Sequence, residues 1–109
     1  MFKINVVALP GCELCSSLID RLQESGLPFN IANAEEHESL CDMLEALLFT
    51  TMYPIVTFEI PQRVYFICMP NEVKRLGWCV LDDTSTSVGV KSVDEIYSTI
   101  MELRNKINS

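Results

Sequence analysis

A change of apolar period across a tight turn, between residues 2 and 22, constrains this chain more than any other feature. From Phe2 to Leu9 the apolar residues alternate and then merge into a run rich in β-branched side chains (Ile4, Val6, Val7), the pattern of a strand covered on both faces. Pro10 and Gly11 stop it. From Cys12 the apolar positions fall at helical spacing, Leu14, Leu18 and Leu22 with Cys15 and Ile19 beside them, until Gly26 and Pro28 end the run. Phe29 to Ala32 is short and apolar enough for a second strand. Strand, helix and strand in so short a span imply a βαβ unit with parallel strands, and hence an α/β core.

The remaining chain adds elements to that core. Glu35 to Phe49 reads as a helix with Leu40, Met43, Leu44, Leu47 and Leu48 on one face and carboxylates on the other. Pro54 opens a strand through Ile55, Val56, Phe58 and Ile60. Pro61 and Gln62 turn the chain, and Val64 to Met69 returns as the second arm of an antiparallel hairpin. Between Pro70 and Lys91, Asn71 to Leu76 reads as a helical turn, Trp78 to Leu81 as a short edge strand and Asp82 to Ser87 as a surface loop. Ser92 with Glu95 makes a capping box, after which Val93, Ile96, Tyr97, Ile100, Leu103 and Ile107 keep helical spacing. The expectation is one domain over residues 1–109, a four-stranded mixed sheet flanked by about three helices.

Charge and hydropathy narrow the function classes. Asp and Glu outnumber Lys and Arg by 15 to 8, a formal charge of -7, so the mean field repels phosphate backbones and anionic lipid. Nucleic acid and membrane are not expected partners. The longest uncharged apolar run, near Val6 to Cys12, falls far short of the ~20 residues that span a bilayer. The opening residues have the pattern of a strand rather than of a secretory signal, so a cytoplasmic protein is expected. Five cysteines are an odd number with only one close pair, which suits free thiols better than a disulfide framework.

That pair carries the chemistry. In Pro10-Gly11-Cys12-Glu13-Leu14-Cys15 the two cysteines sit where a strand hands over to a helix. Thiols three apart on a first helical turn can close a small ring, and the unpaired amides and dipole there favour a thiolate on the first of them. Cys12 is expected to attack a substrate disulfide and Cys15 to resolve the mixed disulfide. Glu13 is expected to face solvent and, as a neighbouring negative charge, to make the thiolate harder to form. The competing reading is half of a zinc site. It would need two more ligands from His37, Cys41, Cys68 and Cys79, none of which forms a second close pair, so no metal is assigned.

With PGCELC after the first strand and TMYPIV before the third, the chain resembles the glutaredoxin and thioredoxin superfamily, the glutaredoxin branch being closer. The resemblance covers nearly the whole length and implies a thioredoxin-like fold. It implies a disulfide oxidoreductase acting on protein or mixed disulfides, with no bound cofactor and glutathione or a flavoprotein reductase as the source of electrons. Ribonucleotide reductase is a typical target in that family, and a monomer is expected. The resemblance further implies a cis peptide before Pro54, facing the cysteines, and a substrate surface made of Gly11, Glu13, Leu14, Tyr53 and Pro54. The alternative is a protein-binding or iron–sulfur cluster-binding module with little turnover. His37 receives no role, Cys41 and Cys68 read as core, Cys79 is expected to be buried, and Trp78 is either a core plug or a partner contact.

Overall fold

In the computed structural model, which describes residues 1–108, the opening apolar stretch forms β1 (Lys3–Ala8) and the motif helix α1 (Glu13–Ser25) follows directly. Gly26 ends α1 in the left-handed region at φ 76°, where its amide bonds back to the Gln23 carbonyl. Strand β2 (Asn30–Asn33) then returns parallel to β1, completing the βαβ unit. A single 3-10 turn at Ala34–Glu36 leads into α2 (Glu38–Leu48). Strands β3 (Ile55–Ile60) and β4 (Arg63–Cys68) form the antiparallel hairpin about Pro61 and Gln62, with Ile60 opposite Arg63. Two further strands, β5 (Gly77–Val80) and β6 (Ser85–Gly89), precede the last helix, α3 (Val93–Asn108).

The sheet runs β2-β1-β3-β4-β6-β5 and is mixed, with β1 parallel to β2, β4 parallel to β6, and the other neighbours antiparallel. This corrects the four-stranded, thioredoxin-like expectation: six strands are present among the described residues, and the added pair lies in the segment read as edge strand and loop. The strand missed there, β6, has the sequence STSVG. Its alternation is carried by hydroxyl side chains, Thr86 and Val88 buried and Ser85 and Ser87 half-buried, so a period of two is hidden in residues that also favour turns.

One face of the sheet stacks Ile4, Val6, Val56, Phe58, Ile67 and Val88 in cross-strand register, all buried. Phe58 lies at its centre with ring contacts to Phe2 at 5.1 Å and Tyr65 at 6.4 Å. Helices α1 and α3 are joined by an ion pair of Arg21 with Asp94, and the Arg21 guanidinium lies 4.3 Å from the Tyr97 ring centre. Half of the expected capping box forms at the start of α3: Glu95 N–H donates to Ser92 Oγ at 3.2 Å, and the Glu95 carboxylate accepts from Lys91 N–H at 2.9 Å, one residue before the serine.

Helix α2 differs from its expected orientation. Cys41, Leu44 and Leu48 are the buried residues, whereas Leu40, Met43 and Leu47 stand at the surface. The run of apolar residues was wide enough to fit two faces, and packing selected the one carrying the cysteine. Among the described residues no helix is long and apolar enough to cross a membrane.

Gly89 joins the added strands to the rest. A Cβ there would overlap the Arg75 carbonyl oxygen and crowd Pro70. Gly89→Ala should therefore lower stability by about 1–3 kcal/mol, the cost of overpacking a close backbone approach, and a drop in the urea midpoint at unchanged m-value will measure it.

Candidate active site

Cys12 occupies the N-cap of α1, and its Sγ accepts the Cys15 N–H at 3.1 Å. This is the donor arrangement that stabilises negative charge on sulfur at a helix start. Gly11, at φ 72°, makes the turn that brings Cys12 onto the axis, and the Cys12 N–H bonds the Leu9 carbonyl at 3.3 Å. Cys12 and Cys15 are joined as a disulfide with their Cα atoms 5.2 Å apart. Their surroundings differ sharply: Cys12 is half-buried and Cys15 only 2% exposed. An incoming sulfur therefore reaches Cys12 first.

The loop before β3 faces this pair. The Tyr53–Pro54 peptide is cis, both residues are buried, and the Tyr53 carbonyl oxygen lies 3.7 Å from Cys12 Sγ. Thr50 holds the loop in place. Its hydroxyl, fully buried, donates to the Met69 carbonyl at 2.7 Å and accepts from Met52 N–H at 3.0 Å. The Tyr53 hydroxyl donates to Glu45 Oε2 at 2.8 Å, and burial first, then the neighbouring Cys41 and Glu45, hold its pKa well above the ordinary phenol range. Tyr53 is thus a fixed donor that ties the loop before β3 to α2.

Of the residues expected at the substrate surface, Gly11, Glu13 and Leu14 are exposed around the disulfide, and Tyr53 and Pro54 form the wall opposite it. Leu14, expected on the helical core face, is 43% exposed, because Cys15, Leu18 and Leu22 fill that face. Sequence reasoning missed Leu9, Glu45 and Thr50. The Thr50 and Glu45 contacts each bridge two elements and leave no local pattern in the sequence.

The other cysteines divide by burial. Cys41 and Cys68 are core, Cys41 Sγ donating to the Ala34 carbonyl at 3.6 Å, and burial pushes the Cys68 thiol up to about 11. Cys79 is exposed on β5, the edge strand of the sheet, against the expectation of burial. Trp78 beside it is half exposed, its ring edge-on to Tyr65 at 6.1 Å. His37 is exposed and meets the Asn33 carbonyl through Nδ1 at 2.9 Å. Of these three thiols, an alkylating reagent at neutral pH should modify Cys79 alone in the native protein, with Cys41 and Cys68 following only in denaturant. Intact-mass counting of added groups before and after unfolding tests this directly.

No family model, no curated protein and no solved structure matches the chain.

Proposed function

We propose that this protein is a cytoplasmic thiol–disulfide oxidoreductase that reduces protein or mixed disulfides with the Cys12–Cys15 dithiol. One observation carries the reading: a half-buried sulfur at a helix N-cap, bonded to a buried second sulfur, with the backbone carbonyl of Tyr53 3.7 Å away. The cycle follows from that asymmetry. The Cys12 thiolate attacks one sulfur of the substrate disulfide, a Cys12–substrate bond forms, the substrate bond breaks, and the departing thiolate takes a proton. Cys15, having lost its proton, then attacks Cys12 Sγ. The internal disulfide closes and the second substrate thiolate leaves and is protonated.

Two electrons and two protons pass from the dithiol to the substrate in each cycle. Two molecules of glutathione, or the dithiol of a flavoprotein reductase, restore the reduced pair by the same exchange in reverse. During the mixed-disulfide stage the extended substrate chain lies beside the loop of Met52, Tyr53 and Pro54, where backbone pairing in the manner of an added strand orients it.

Insulin reduction is the direct test. With dithiothreitol as electron source, the protein should accelerate precipitation of the insulin B chain well beyond dithiothreitol alone. An unchanged rate at micromolar protein would reject the reading. Parallel assays with glutathione plus its reductase and with thioredoxin reductase identify which reductant serves it.

A further inference from the structure

On the side of Leu9 and Tyr53 a groove of about 430 Å³ opens beside the cysteine pair, and Glu35, Glu38, Asp42 and Glu45 line it. Two of its wall residues make direct contact with the reactive cysteine: Leu9 through its carbonyl, which accepts the Cys12 N–H, and Tyr53 through its carbonyl 3.7 Å from the sulfur. Neither cysteine lines the groove itself, but these two contacts bring its Leu9–Tyr53 end beside Cys12, the residue that carries the substrate in the mixed disulfide. A segment flanking the substrate cysteine on that side runs toward the four carboxylates.

Those charges are uncompensated. No lysine or arginine lines the groove, and neither ion pair among the described residues, Arg21 with Asp94 and Lys74 with Glu72, involves any of the four. Glu45 is half-buried and already accepts the Tyr53 hydroxyl. The recess that Cys15 itself lines, with Ala8 through Gly11, Ser16, Ile19, Ile31 and Asn33, contains no charged side chain to offset them. Like-signed charge along a cleft concentrates counter-charged ligands and repels others.

We infer that the substrates of this site are protein disulfides whose cysteines are flanked by lysine or arginine, and that acidic flanks are disfavoured there. The inference rests on the oxidoreductase reading above. A cationic flank entering the groove gains attraction before the exchange and while the mixed disulfide lasts. An acidic flank meets repulsion at both stages.

Three disulfide-linked peptide dimers, alike except for lysine, serine or glutamate on both sides of the cysteine, test it. Each rate of reduction by the dithiol protein is divided by the rate with dithiothreitol, which removes the intrinsic reactivity of the peptide. At low ionic strength the lysine peptide should exceed the glutamate peptide by about tenfold, with serine between them. At about 1 M salt, where the Debye length falls to about 3 Å, the spread should shrink to about twofold. The double variant Glu38→Gln/Asp42→Asn should lower the lysine-to-glutamate ratio about threefold, whereas Asp82→Asn, in the loop between β5 and β6, should leave it unchanged. Equal normalised rates at low salt, or a faster glutamate peptide, overturn the inference while leaving the oxidoreductase reading intact. Reduction of none of the three peptides overturns that reading and the inference with it.

Discussion

Cys15→Ser, mixed in its reduced form with a disulfide substrate, should accumulate as a covalent adduct through Cys12, whereas Cys12→Ser should form no adduct and should lose disulfide reduction by at least ~10³-fold. The contrast follows from burial. Cys12 is half-buried at the helix start, so it takes the substrate in either case. Cys15, 2% exposed, is reached only from within, and its sulfur is the group placed to release the adduct. With serine at 15 the second exchange has no nucleophile, and the mixed disulfide persists until an external thiol opens it. Non-reducing electrophoresis and intact mass read the adduct. Identical behaviour of the two variants, or adduct formation through position 15, would contradict the assigned roles.

Phe58→Ala should remove about 3–5 kcal/mol of stability, the range for deleting a fully buried ring when the surroundings relax only in part. Phe58 has no exposed surface and sits between Phe2 and Tyr65 in the centre of the sheet, on β3, the strand that Pro54 opens. Against a total stability of about 5–15 kcal/mol for a domain of this size, such a loss brings the protein close to unfolding at room temperature. Urea unfolding followed by circular dichroism measures it. A loss below about 1 kcal/mol would mean that this face is packed far more loosely than the ring contacts indicate.

The βαβ opening, the hairpin about Pro61 and the capped last helix were legible because each is written in a local signal: a change of period, a turn dipeptide, a Ser–Glu spacing. So was the placement of Cys12 and Cys15 at a helix start. Of the two strands beyond β4, the edge strand β5 was legible and β6 was not. Strand β6, Ser-Thr-Ser-Val-Gly, is built largely of residues that serve a turn equally well, and its parallel pairing with β4 is specified by contacts distant in sequence. Helix α2 carried too many leucines for periodicity to choose a face, and the choice went to the one bearing Cys41. The site's own supports, the Thr50 hydroxyl and the Glu45 carboxylate, became visible only when the loop before Pro54 was placed against α2 and the end of β4.

The sulfur proposed to meet substrate is also the atom that satisfies the Cys15 amide, one of those in the first turn of α1 that have no intrahelical acceptor. Serine is among the strongest residues for that task, so replacing Cys12 by serine keeps an oxygen where the helix needs an acceptor. Silence of that variant in an assay then speaks of missing nucleophilicity rather than of a frayed helix. At this position, unlike most, the conventional cysteine-to-serine control separates reactivity from architecture.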